Sequence, residues 1–204
     1  MNIEQWVSII SDLALAVSAI IVALIAAIGL NTWRRELKGR VLFDDARKIV
    51  RLSIEVYANF EWARFPLGSS SESLARQRAE GESATETQIR DSWFAKYQRL
   101  KPLMTTMQSL QEMDWEIQTL LGDRSKRISN AIKIYRASYA ELKVSIDEYF
   151  EIKVNEAIKE SPYHDQDYLR ELSHVIYGTS SDDFSKKIHS IHEQLVGELR
   201  VFLK

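Results

Sequence analysis

The chain opens on a long apolar run with no alternation of polar residues. From Leu13 to Leu30 it reads LALAVSAIIVALIAAIGL, without a charged side chain. About 20 such residues cross the hydrocarbon core of a bilayer. The pattern predicts a transmembrane helix over residues 6–30, with residues 1–5 outside the cytoplasm. Trp6 and Trp33 bracket it, roughly 40 Å apart at the rise of an α-helix. That spacing matches a bilayer measured to its interfaces, where tryptophan concentrates.

After the apolar run the spacing becomes amphipathic. Leu42, Ala46, Ile49, Val56 and Phe60 recur at helical intervals and predict a juxtamembrane helix over 31–65, closed by Phe65-Pro66. Residues 66–88 are rich in Ser, Glu and Gly, with Leu67 and Leu74 as their large apolar side chains. Such a segment buries too little surface to order itself and reads as a mobile loop. Residues 89–204 read as a cytosolic helical bundle. Trp93, Leu100, Leu103, Met107, Leu110, Ile117 and Leu121 line one helix, with Pro102 inside it as a place for a kink. Gly122-Asp123 ends that helix and starts the next. Ile128, Ile132, Tyr135, Tyr139, Leu142, Ile146 and Tyr149 then alternate four- and three-residue steps, a heptad seam. The short connection predicts an antiparallel hairpin. Tyr168, Leu169, Leu172, Val175 and Ile176 predict a short helix ending at Gly178. Ser180, with Asp183 in the capping-box position, begins a last helix along Phe184, Ile188, Ile191, Leu195, Leu199 and Phe202. No run alternates like a strand. The fold class is all-α: one N-terminal transmembrane helix followed by a cytosolic antiparallel bundle.

Composition and charge sharpen this picture. Three prolines and seven glycines leave few breaks in the helices. Glu4 and Asp12 are the charges before residue 30, and all 27 Lys and Arg residues follow it. Arg34, Arg35, Lys38 and Arg40 stand directly after the run, so the positive-inside rule places the N-terminus outside and the C-terminal domain in the cytosol. With Trp6 and Trp33, these residues are the candidate contacts to lipid head groups. A cleaved signal peptide would carry its basic residues before the run, and here there are none. Beyond residue 30 acidic and basic residues balance, which removes any bulk attraction for nucleic acid. The absence of cysteine excludes disulfides, thiolate metal sites and cysteine nucleophiles.

Asp12 admits two readings. It stands ~9 Å along the helix from Trp6, within reach of the outer interface, and it also lies in a stripe of small and polar residues. Ser8, Asp12, Ala16, Ala19, Ala23 and Ala27 share one face, opposite Val17, Ile21, Leu24 and Ile28. Small residues let helices approach closely in lipid. The stripe predicts a homo-oligomer in which Asp12 forms an acidic ring favouring cations; alternatively, alanine is simply common in membrane spans.

The chain carries no phosphate-cradling glycine loop, no nucleophile elbow and no His-Glu-x-x-His. No catalytic activity, cofactor or metal is expected. His189 and His192 could share a metal with Glu193 or Asp165, and more simply flank the Ile188/Ile191 face. Arg124, Lys126 and Arg127 cluster at the hairpin tip, and Lys96, Arg99 and Lys101 form a second group. Either group could hold the phosphates of a nucleotide or oligonucleotide signal, or form a solvated face.

The stretch Thr32-Trp33-Arg34-Arg35-Glu36-Leu37-Lys38-Gly39-Arg40, then Ala46-Arg47-Lys48, then Arg64-Phe65-Pro66 and a Gly/Ser-rich loop resembles small single-span bacterial membrane proteins of anti-phage defence systems, the Hailong-type membrane effectors. The likeness covers about the first 70 residues. It implies a bacterial inner membrane, oligomeric spans forming a channel, and a cytosolic domain that gates it on a signal. The partners expected are membrane lipid, further copies of the chain, a nucleotide or oligonucleotide, and a protein encoded nearby. The competing expectation is a non-conducting, membrane-tethered scaffold whose bundle binds a partner protein.

Overall fold

The computed structural model describes residues 3–67, 70–159, 161–178 and 181–203, and among them all regular structure is helical. Helix α1 spans Ile3–Arg64, α2 Ser70–Ser73, α3 Ala84–Leu121, α4 Lys126–Lys159, α5 Gln166–Ile176 and α6 Asp183–Leu199. Turns of 3₁₀ helix occupy Gly122–Ser125 and Arg200–Phe202. The chain divides into two compact units, the first ending at Asp44 and the second beginning at Asp45.

The first unit is helix alone. Every side chain from Leu13 to Val41 is exposed, including Ile25 and Ile28. By length and composition this helix could cross a membrane. Two of its hydroxyls turn inward on the backbone: Ser18 donates to the Ala14 carbonyl at 2.8 Å and Thr32 to that of Ile28 at 3.0 Å. A hydroxyl satisfied in this way needs no water.

The second unit is built on a shared apolar core. Ala46, Ile49, Val56, Phe60 and Ala63 of α1 enter it, so the amphipathic spacing of this segment serves the core. Leu100, Leu103, Met107, Leu110, Met113 and Ile117 come from α3. From α4 come Ile128, Ile132, Tyr135, Leu142, Ile146 and Phe150; Tyr139 and Tyr149 of the heptad series pack against them half-buried. Leu172 and Ile176 of α5, and Phe184, Ile188, Ile191, Leu195 and Leu199 of α6, complete it. Trp93 stacks on Phe150 with centroids 6.4 Å apart, the Tyr97 hydroxyl meets Asp147 Oδ2 at 3.5 Å, and the Ser129 hydroxyl donates to Asp114 Oδ1 at 2.5 Å. Early α3 thus meets late α4, and these two helices run antiparallel.

The helix ends differ in detail from the sequence expectation. α3 starts at Ala84 rather than near Ile89, because the Ser83 side chain accepts from the Glu86 N–H. Pro102 lies within α3 and does not end it. Gly122 closes α3 with φ 56°, a left-handed backbone that glycine adopts without strain. The α6 cap is Asp182, which accepts from the Ser185 N–H at 2.8 Å; Ser180 lies outside the described residues. The polar segment after α1 also carries ion pairs. Arg76 pairs with Glu82 at 2.6 Å and Asp91 at 2.5 Å, and Arg78 joins Asp91 at 3.0 Å.

Leu110 is fully buried and Leu74 is 81% exposed. Leu110→Ala should therefore cost ~2–5 kcal/mol, and Leu74→Ala less than ~0.5 kcal/mol. Chemical unfolding of the full chain in detergent measures both.

Candidate functional site

The last carbonyls of any helix lack donors within it. At the end of α1 the chain turns at Phe65-Pro66, and the donors come from α3. Lys96 Nζ donates to the Ala63 carbonyl at 3.0 Å and the Phe65 carbonyl at 2.9 Å. Arg99 donates to the carbonyls of Phe65 at 2.8 Å and Leu67 at 2.6 Å. α5 ends beside them. Arg64 donates to the carbonyls of Val175 at 2.7 Å and His174 at 2.9 Å, and Lys96 reaches that of Ile176 at 3.5 Å. Three cations thereby satisfy two helix ends, where the helix dipole also favours positive charge. Arg64, Lys96 and Arg99 are all buried, at 3%, 5% and 4% exposure.

Burying charge is costly unless it is compensated. Arg64 meets both oxygens of Asp182, at 3.0 and 3.1 Å, donates to the Ser185 hydroxyl, and lies over the Phe184 ring at 4.6 Å. Arg99 grips Glu72 through two bonds of 2.9 and 2.7 Å, and lies over the Trp62 ring at 4.6 Å. Lys96 is held by the three carbonyls and the face of Tyr177, 4.5 Å away. Burial opposes ionisation of Asp182, but the Ser185 N–H and Arg64 outweigh it, and its pKa lies below the usual value. Lys96 behaves differently. Burial, with Arg99 and Arg64 adding to it, pushes its pKa down to about 7, against a weaker upward pull from Glu72.

Gly178 is part of this junction for a steric reason. A Cβ there would lie 1.7 Å from Arg64 Nη2 and 2.0 Å from Asp182 Oδ2. A cleft of about 380 Å³ opens alongside, with Tyr57, Phe60, Phe65 and Ile188 as walls and Glu61, Arg64 and Ser185 as its polar groups. Next to it, Ser53 Oγ lies 2.9 Å from His192 Nδ1 and 3.4 Å from the Tyr135 hydroxyl. A serine beside an imidazole has the spacing of a nucleophile and its base. Here Ser53 is fully buried, and the pair links α1 to α6. Burial lowers the His192 pKa and raises that of Tyr135 to about 12.

The residues singled out from sequence fall as follows. Ala16, Ala19, Ala23, Ala27, Trp33, Arg34, Arg35, Lys38 and Arg40 are all exposed on α1. Trp6, Ser8 and Asp12 belong to α1, but their side chains lie outside the described part of the structure, as does that of Arg124. Lys126 pairs with Asp123 at 2.9 Å and Arg127 with Glu198 at 3.2 Å, each cation highly exposed. They turn to separate carboxylates. Lys96 and Arg99 are spent on carbonyls and Glu72, while Lys101 stays exposed and bonds to Gln98. His189 and His192 both pack against the Tyr57 ring, and Asp165 caps α5. Among the described residues, no three His, Asp or Glu side chains gather as a metal set. The junction itself was missed. Its signal was register: Lys96 stands in step with Trp93, Leu100 and Leu103, a core position filled by a cation.

Compared with protein-family models, curated proteins and solved structures, the chain matches none.

Two outcomes follow from the junction. Gly178→Ala should destabilise the protein by ~1–3 kcal/mol, since the new methyl displaces a bonded guanidinium; thermal unfolding reads it. For Lys96, the ordinary pKa of 10.5 belongs to the unfolded chain and the lower value to the fold. Between pH 7 and 10 the unfolded chain holds a proton that the fold releases, so Lys96 makes stability rise with pH and fall as pH returns to 7. Melting temperatures at pH 7 and 9 should show that rise in the native protein and a flatter response in Lys96→Met.

Proposed function

We propose that the chain is a single-pass protein of a bacterial inner membrane, N-terminus outside, whose cytosolic antiparallel helical bundle senses a signal and gates a channel or membrane disruption. The observation that carries this reading is the apolar stretch of α1, exposed on every side from Leu13 to Leu30. In water that surface would drive aggregation, whereas in lipid it is matched to its solvent. Arg34, Arg35, Lys38 and Arg40 follow it where head groups would stand. The likeness of this junction to the Hailong-type effectors adds the anti-phage setting and the oligomeric channel. In that reading Asp12 faces the ions and the alanine face packs between copies.

A second reading, a tethered scaffold, draws on the outer side of the α3/α4 pair. Trp115, Val144 and Met104 are exposed there at 60%, 51% and 42%. A groove lined by Met104, Gln108, Lys133, Arg136, Ala137 and Ala140 runs between the two helices.

In planar-bilayer recordings, Asp12→Ala should lose most of the conductance of the native protein while resisting carbonate extraction equally well. Unchanged conductance removes Asp12 from the pathway. Exchanging residues 13–30 for an unrelated poly-Leu span separates the readings: the channel fails with it and the scaffold keeps its activity.

A further inference from the structure

The cleft beside Arg64 has walls that are fixed from behind. Tyr57, Glu61 and Arg64 stand four and three residues apart on one face of α1, with Phe60 beside them, and Ser185 and Ile188 line the cleft from α6. Phe60 packs against Tyr135 and Phe184, with centroids 6.2 and 6.1 Å apart. The Tyr57 ring meets His189 at 5.9 Å and His192 at 5.4 Å, and Phe65 stacks on Trp62 at 6.2 Å. Rings held in this way cost an arriving molecule little ordering. The volume, about 380 Å³, is that of a small-molecule site.

The polar side chains of the cleft differ in what they have left to give. The charge of Arg64 is met by both oxygens of Asp182. Ser185 accepts from Arg64 and donates to Asp182 at 3.4 Å. Glu61 is not matched in this way. Burial, and then the nearby Glu61 carboxylate, hold the Tyr57 pKa above its ordinary value. The cations of the neighbouring turns pair elsewhere, Arg64 with Asp182, Lys186 with Asp183 and Lys187 with Glu141. Among the described residues none pairs with Glu61. The rings divide similarly. Phe184 carries Arg64 over its face, Trp62 carries Arg99 and Tyr177 carries Lys96, whereas Tyr57, Phe60 and Phe65 carry no cation among the described residues.

The cleft therefore pairs one unmatched carboxylate with three unoccupied rings, and this selects its ligand by charge. An anion would be repelled by Glu61. A purely apolar molecule would take water from that carboxylate and return no hydrogen bond. A cation with a hydrocarbon body satisfies both, since its charge is attracted to the carboxylate and to the rings. We infer that this cleft binds a compact organic cation, a small amine or quaternary ammonium that meets Glu61 and lies against Tyr57, Phe60 and Phe65. The site goes beyond the channel and scaffold readings and stands with either. Its occupant touches α1 and α6 beside the Arg64–Asp182 pair, so binding should also raise the melting temperature.

Calorimetric titration of the full chain in an uncharged detergent tests this, with choline and benzylammonium as probes. The tert-butyl analogue of choline and benzyl alcohol are their uncharged counterparts. At least one cation should bind, about ten-fold more tightly than its counterpart. Glu61→Gln, at an exposed position, should melt as the native protein does and bind that cation about ten-fold more weakly. Phe65→Leu, which removes a ring that is 45% exposed, should weaken it several-fold. Failure of both cations to saturate below about 10 mM, equal affinity for charged and uncharged probes, or undiminished affinity in Glu61→Gln overturns the site.

Discussion

The packed unit of this protein depends on how two helix ends find their hydrogen-bond donors. α1 and α5 both end in the interior, and a buried end without donors is costly. Arg64, Lys96 and Arg99 supply those donors, and their charge suits the negative ends of the helix dipoles. One cation can meet several carbonyls, so three side chains do what water does at an exposed helix end. The burden moves to the charges themselves. Asp182 and Glu72 balance two of them; Asp182 works twice, since it also caps α6, and Glu72 ties the short α2 to Arg99. The end of α1, the end of α5 and the start of α6 are therefore coupled through one set of bonds.

The two units obey different rules of burial. From Asp45 onward, most large apolar side chains turn to a common core and most charged ones to the surface, as water requires, with Arg64, Lys96 and Arg99 as buried exceptions. From Leu13 to Leu30 apolar side chains point outward on every side. A helix of that kind satisfies its backbone within itself, and Ser18 and Thr32 satisfy their hydroxyls the same way. The change falls at the division between the two units, after Asp44.

Much of the helical architecture was legible because it rests on periodicity. The heptad positions Ile128, Ile132, Leu142 and Ile146 are buried as their spacing implied, and so are Ala46, Ile49, Val56 and Phe60. Helix ends were harder to place. Ser83 and Asp182 cap through local backbone geometry, and several nearby serines and carboxylates could have served equally well. The junction was the least legible part. Lys96 betrays itself only by its core register, Arg99 looks like an ordinary surface cation, and the partners of both are mostly backbone carbonyls, which leave no mark in a sequence. Arg76 shows the same difficulty. It lies in the polar segment after α1 and pairs with Glu82 and Asp91, partners that no periodicity marks.

The Arg64 bonds have a consequence for synthesis. Their acceptors, His174, Val175 and Asp182, lie 110 to 118 residues further along the chain. The α3/α4 hairpin closes on neighbours and can form as soon as α4 leaves the ribosome, whereas distant contacts wait on the chain that carries them. Until residues near 185 have emerged, the guanidinium of Arg64 has none of these acceptors, and the α5 carbonyls it will bond do not yet exist. The final docking of the second unit is thus a late event, timed by translation of α5 and α6 rather than by the elements made first.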